Sequence, residues 1–200
     1  IATRGLPIKT LVSVRNDPNR EYTGKSGWIV GKILLPMADG CVFQTEDAQK
    51  WFPLKLQHKS RIIYNSVKRE FYQINRTPIL GEIVTCGRLV EQKNHLLLIR
   101  AFDRVIKEYP EATLKIYGDG ILKGNLQAEI TQLGLSDKAF LMGNTNDVVD
   151  VLKTADLFVL SSDYEGMPNA LMEAMAVGVP CISTDCPCGG PKELFGTELQ

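Results

Sequence analysis

Hydrophobic residues occur along this chain in short blocks, and their spacing switches between that of a strand and that of a helix. "TLVSV" (Thr10–Val14) reads as a buried strand, and "RNDPN" as the turn that ends it. "GWIVGKILLPMA" has helical spacing and carries a late proline, and "CVFQ" (Cys41–Gln44) is a short strand. "TEDAQKWF" predicts a helix capped by Thr45 and stopped by Pro53, and "RIIYN" (Arg61–Asn65) a further strand. From Ser66 to Leu80 the chain turns charged and polar and ends in "NRTPIL", which predicts a linker with at most a short helix.

Beyond Leu80 the alternation becomes regular. Strands are predicted at "EIVTC", "TLKIY", "AFLMG", "DLFVL" and "PCISTD". Helices are predicted at "NHLLLIRAFDRVIKEY", with Asn94 as N-cap and Pro110 beyond its end, and at "ILKGNLQAEITQLGL", where Gly124 weakens the first turn. Others are predicted at "NDVVDVLKTA", at "NALMEAMAVG" with Gly178 as its stop, and at "PKELF". Strand–helix alternation at such short intervals implies an α/β fold, a doubly wound parallel sheet covered on both faces. In such sheets ligands sit outside the carboxyl ends of the strands.

Composition narrows this picture. Lys and Arg number 23, as do Asp and Glu, so the formal charge is zero, which argues against a general nucleic-acid coat. An apolar fraction of 44% fills a sizeable core, and no run approaches the ~18 apolar residues of a membrane span. The five cysteines lack framework spacing and fit a reducing cytosol. Cys186-Pro-Cys188 resembles half a metal site, but the two histidines, His58 and His95, are remote in sequence, so a four-ligand zinc set is hard to assemble. No metal site and no cofactor are expected. His95, in a first helical turn, is expected to be a capping or surface histidine.

The residues that follow each strand carry the candidate chemistry. After "DLFVL" comes Ser161 to Pro168, with a helix starting at Pro168 or Asn169. Free N–H groups and the helix dipole there suit an anion such as phosphate. Glu165 precedes that helix and Glu173 lies about one turn inside it. Carboxylates accept hydroxyl donors, as a sugar or ribose offers. Alone, the pair reads as a turn residue and a wet helix face; the strand-end context favours a ligand role. Arg88 and Lys93, in "GRLVEQKNH", follow another strand. Two readings stand for them, a diphosphate clamp and a pair of solvated surface residues. Gly118-Asp119-Gly120 is a tight turn that matches neither the dinucleotide fingerprint nor a P-loop. The chain has no Asp-x-Asp pair and no G-x-S-x-G elbow.

Taken in order, "GRLVEQKNHLLLIRAF", "LKIYGDG", "FLMGNTNDVVDVLKTADLFVLSSDYEGMPNALMEAMAVGVPCISTD" and "GGPKEL" resemble the retaining family-4 type glycosyltransferases of GT-B fold. That resemblance is strong from Glu82 to Leu194. It implies transfer of a sugar from a nucleotide diphosphate, a UDP- or GDP-sugar, to a hydroxyl of a glycan or lipid-linked acceptor, with retention and without metal. By the same resemblance, Arg88 and Lys93 grip the diphosphate, Glu165 contacts the donor sugar, and Glu173 binds the ribose. Gly166, Met167, Pro168, Asn169, Ala170 and Leu171 would contact sugar and phosphate, and Met142 and Gly143 would lie at the base. Polysaccharide or glycolipid synthesis in the cytoplasm, with peripheral association at the inner membrane face, is further implied.

Residues 1–73 resemble the tail of the acceptor-side domain, 74–80 a linker, and 81–200 a donor domain incomplete at its C-terminus. The family's Gly-rich loop, its histidine facing the donor and its closing C-terminal helix are not recognisable. The chain, which starts at Ile1, is therefore expected to be a fragment without its natural N-terminus, inactive by itself. Two alternatives are a fragment that binds nucleotide sugar without turnover and another GT-B enzyme, such as a sugar-nucleotide epimerase.

Overall fold

The computed structural model describes residues 7–196. The chain divides into two compact units. The first comprises Ile1–Ser66, Tyr164–Pro168 and Asp185–Gln200, and the second Val67–Asp163 and Asn169–Thr184.

The first unit holds a parallel sheet of three strands in the order β1 (Leu11–Val14), β2 (Gly40–Phe43), β3 (Ser60–Ile62). Its connections carry α1 (Pro18–Glu21), α2 (Gly24–Ile29), α3 (Glu46–Lys50) and α4 (Leu54–Gln57). Thr45 caps α3 as expected, its hydroxyl accepting from the Ala48 amide at 3.2 Å. Phe43, Phe52 and Leu56 lead the core, with Tyr22 and Trp51 stacked beside it at 5.7 Å between centroids. Two expectations need correction. The single helix predicted over Gly27–Ala38 divides into α2, a π-turn at Val30–Leu34 and a 3-10 turn at Leu35–Met37, where Pro36 lacks the N–H that would continue an α-helix. The strand expected over Arg61–Asn65 spans Ser60–Ile62, after which Ile63 donates one last bond to the Phe43 carbonyl.

The second unit holds five parallel strands: β4 (Glu82–Cys86), β5 (Thr113–Tyr117), β6 (Ala139–Gly143), β7 (Leu157–Leu160) and β8 (Cys181–Ser183). Their order is β6-β5-β4-β7-β8, with the sequence direction reversing at β4. The connections are α5 (His95–Glu108), α6 (Lys123–Gln132), α7 (Val148–Thr154) and α8 (Asn169–Val177). A last helix, α9 (Gly190–Phe195), returns to the first unit. Leu98, Ile99 and Phe102 of α5 meet Leu114 and Ile116 of β5 and Leu126 and Ile130 of α6 in one buried cluster. Their spacing on α5 is the i, i+1, i+4 stripe of an amphipathic helix.

The segment before β4 belongs to this unit. Its 3-10 turn, Arg69–Tyr72, packs on α8. Thr77 and Ile79 then donate to the carbonyls of Lys153 and Thr154. Arg76 gives one guanidinium nitrogen to the Ala155 carbonyl and the other to Gly178, each at 2.7 Å. A cation at two helix C-termini offsets their partial negative charge.

Candidate functional site

Strand order reverses at β4, and doubly wound sheets bind ligands at the strand ends beside such a reversal. Arg88 and Lys93 are on the loop that leaves β4. Arg88 is exposed, while the stem of Lys93 lies across Gly87 so closely that a Cβ there would meet Lys93 Cδ at 3.4 Å. The loop is fastened to its neighbours. Gly87 N–H donates to the Tyr117 carbonyl and Leu89 N–H to Asp119, both at 2.9 Å. On the other side, Ser161 Oγ donates to the Lys93 carbonyl at 2.9 Å, Asp163 N–H to the Gln92 carbonyl at 2.9 Å, and the Asn94 amide to Asp163 Oδ1 at 2.6 Å. The cations thus sit on a backbone tied to the ends of both flanking strands.

Beneath them, His95 is 3% exposed, which overturns the expectation of a capping or surface residue. Asn94 takes the capping role, in the left-handed region at φ 42°, and its side-chain oxygen accepts from the Leu97 amide at 3.2 Å. The imidazole is the first residue inside α5 and turns under the loop, with Nε2 3.2 Å from the Arg88 carbonyl. Burial holds its pKa below the usual 6.5, helped by the Lys93 charge and opposed by bonds to backbone carbonyls.

A cavity of about 200 Å³ opens beside the loop. Cys86, Gly87 and Arg88 line it from β4, and Tyr117, Gly118 and Asp119 from β5. Asn144, Thr145 and Val148 close the β6 side. A glycine is required at 118. A Cβ on Gly118, where φ is 138°, would lie 2.0 Å from the Gly87 carbonyl oxygen. Gly118 N–H also donates to the Gly143 carbonyl at 2.8 Å. Register slips between β5 and β6, pairing Tyr117 with Gly143 and leaving Met142 as the extra residue, 46% exposed. Met142 and Gly143 directly precede the Asn144–Thr145 wall.

Asn169, Ala170 and Leu171 form the first turn of α8, and Leu171 is fully buried. Glu173 is half-buried on that helix. Burial raises its carboxyl pKa, with Lys68 lowering it and Glu70 raising it. Burial, and after it the Glu173 charge, pushes the thiol of Cys86, at the end of β4, up to about 12. The second unit thus carries Arg88 and Lys93 on the loop after β4 and Glu173 on α8, the helix that follows β7.

Glu165, Gly166, Met167 and Pro168 belong to the first unit. Glu165 is 6% exposed, and its N–H donates to the Pro187 carbonyl at 3.2 Å. Gly166 is pinned by backbone: a Cβ on it would come 2.3 Å from the Arg15 carbonyl oxygen, and one on Gly190 would come 1.7 Å from Gly166's own. The Met167 carbonyl accepts from the Asn65 amide at 3.3 Å. Sequence reasoning missed Ser161, Asp163, Asn144 and Thr145, although their places just after strands were a usable signal. Among the described residues no group of three or more His, Cys, Asp or Glu is arranged to hold a metal ion, and no helix is long and apolar enough to cross a membrane.

Comparison with known proteins bears on what these strand ends serve. The sequence pattern of the glycosyl transferases group 1 family matches residues 68–199. The chain belongs to that family. An uncharacterised glycosyltransferase of Methanocaldococcus jannaschii is 34% identical, over 96% of this chain and 52% of its own length. A Campylobacter jejuni N-acetylgalactosaminyltransferase, named for a diphospho-undecaprenol-linked sugar, is 37% identical over 83% of this chain and 44% of its own. The chain spans about half the length of these curated relatives. Among solved structures, TarM superposes with a TM-score of 0.81 over 98% of this chain and 40% of its own, at 22% identity. HepE of Anabaena, solved with UDP-glucose, superposes at 0.79 over 92% of this chain and 55% of its own, at 20% identity. These likenesses establish the fold as α/β of GT-B type.

Proposed function

We propose that this chain is the donor-binding part of a retaining, family-4 type glycosyltransferase, which moves a sugar from a nucleotide diphosphate sugar to an acceptor hydroxyl. The observation that carries the proposal is the cationic β4 loop, tied by Ser161 and Asp163 to the end of β7 and open to a cavity of about 200 Å³. Held donors and cations stabilise developing charge without reorganising, as a departing nucleotide diphosphate requires. In this reading Arg88 and Lys93 take the diphosphate, Glu173 the ribose, and the Asn144–Thr145 wall, with Met142 and Gly143 before it, the base. Glu165 keeps its assignment to the donor sugar on the sequence resemblance. The unit that carries β1–β3 stands as the tail of the acceptor-side domain, and the unit that carries β4–β8 as the body of the donor domain.

Names of relatives support the wider setting. HepE was solved with UDP-glucose, and the Campylobacter enzyme is named for a lipid-linked sugar. Synthesis of a polysaccharide or glycolipid, cytoplasmic and peripheral to the inner membrane face, is part of the proposal. Titration calorimetry with UDP, GDP and their sugars, without magnesium, tests it. One diphosphate should bind, and Arg88→Ala should weaken it about tenfold or more, as expected for a charge-assisted bond of about 1.5–3 kcal/mol. No binding at millimolar concentration would sink the donor assignment. Binding without sugar transfer would favour the reading as a binding fragment.

A further inference from the structure

We infer that His95 is a positioning residue, which holds the peptide at Arg88 so that the two cations of the β4 loop meet the diphosphate; this rests on the donor reading above. The ring lies under the loop with Nε2 3.2 Å from the Arg88 carbonyl oxygen. Its other nitrogen, Nδ1, is buried and has no hydrogen-bond partner. A ring placed this way carries its single proton on Nε2, because a lone pair there would face the lone pairs of the carbonyl. The bare Nδ1 is then the acceptor left over.

That arrangement has a cost. A buried polar atom without a partner is unfavourable, and an apolar side chain would fill the same space without one. Burial and the neighbouring Lys93 charge both disfavour protonation, which keeps the ring a neutral donor. What the imidazole supplies in return is a bond to Arg88's own peptide from a side chain beneath the loop. The other fastenings act further along, at Leu89 through Asp119, at Gln92 through Asp163 and at Lys93 through Ser161. Arg88 is exposed, so where its guanidinium reaches depends on where its backbone is held.

Two variants separate this role from packing. His95→Leu keeps volume and loses the donor, and His95→Gln places an amide N–H near the position of Nε2. Hydrogen–deuterium exchange of the 87–94 amides is the first readout, and it needs no ligand. In His95→Leu these amides should exchange about tenfold faster, the loss of one bond of about 1.4 kcal/mol, and in His95→Gln they should stay near wild type. The second readout is the ratio of UDP to UMP affinity (or of GDP to GMP, whichever base the wild type takes). It should fall in His95→Leu with UMP binding unchanged, and recover in His95→Gln. Should His95→Leu fail to fold, His95→Asn, whose amide is too short to reach, replaces it against His95→Gln. Unchanged exchange of the loop amides overturns the inference whatever the nucleotide does. Equal loss of UDP and UMP overturns it in favour of a general packing role. A wild type that binds neither diphosphate sinks the donor reading, while the exchange experiment still decides whether His95 holds the loop.

Discussion

The five-stranded sheet of the second unit is packed by α5 and α6 into a cluster where Ile99, Leu114, Ile116 and Ile130 are fully buried. The three-stranded sheet of the first unit has an equally dry centre at Phe43 and Leu56, yet Leu11 on its β1 edge is 74% exposed. Trp28, Ile33 and Met37, on the helical run between β1 and β2, are each about half exposed. Parallel sheets are normally covered on both faces. A parallel ladder and a buried centre therefore arise from three strands, and in the larger sheet exposure is confined to the outer strands, at Phe140, Met142 and Ile182. The rim that carries the cations stands on the central strand β4 of that sheet, which suits a site whose groups must be held still.

The largest expected effect breaks this contrast directly. Phe102→Ala, in the α5 core, should cost about 3–5 kcal/mol, the usual result of emptying a buried aromatic site. Trp28→Ser should stay within about 0.5 kcal/mol, as surface substitutions do. Urea unfolding followed by circular dichroism measures both. A large loss for Trp28→Ser would mean that this face is covered in solution, for instance by a second copy.

Glycines extend the contrast to the backbone. Gly118 has φ 138° and would put a Cβ 2.0 Å from the Gly87 carbonyl oxygen, whereas Gly24, at φ 66°, has nothing within 4 Å. Gly24→Ala should cost only the left-handed backbone, about 1–2 kcal/mol. Gly118→Ala adds the collision, so either its melting temperature falls further or the Gly87 carbonyl moves away. In both cases diphosphate binding should weaken, because the displaced strand end carries Arg88. Melting curves and calorimetry with the nucleotide that wild type binds distinguish the two variants. Equal behaviour would mean that the β4 and β5 ends are not close-packed.

Much of this was legible in the sequence. Thr45 and Asn94 announced their helices because a side-chain oxygen before an apolar stripe is a local signal. The strand ends after β4 and β7 were legible because short α/β alternation fixes where loops emerge. What stayed hidden depends on distant contacts. His95 looked like a surface residue because nothing local says that the chain folds back over it at Arg88. The helix predicted over Gly27–Ala38 has continuous helical spacing, and only packing and Pro36 divide it. That Gly166 is needed for its missing side chain follows from Arg15 and Gln44, both far away in sequence.

The smallest effect is the most discriminating, because it compares two caps that make the same bond. Thr45 in the first unit and Asn94 in the second each accept from the amide three residues on, at 3.2 Å. Replacing Thr45 by alanine should cost about 1 kcal/mol, and replacing Asn94 somewhat more, because alanine tolerates its left-handed backbone, φ 42°, less well than asparagine. Only Asn94 of the two has a second bond at the strand ends β4 and β7, to Asp163 Oδ1 at 2.6 Å. Asn94→Ala should therefore lose diphosphate affinity severalfold as well as stability, while Thr45→Ala should lose stability alone. Measuring both variants at a temperature where each stays folded removes unfolding from the affinity. If Thr45→Ala weakened nucleotide binding as much as Asn94→Ala, the tie between the β4 and β7 loops would have no special part in holding the cations. If only Asn94→Ala weakened it, that tie would be part of the anion site.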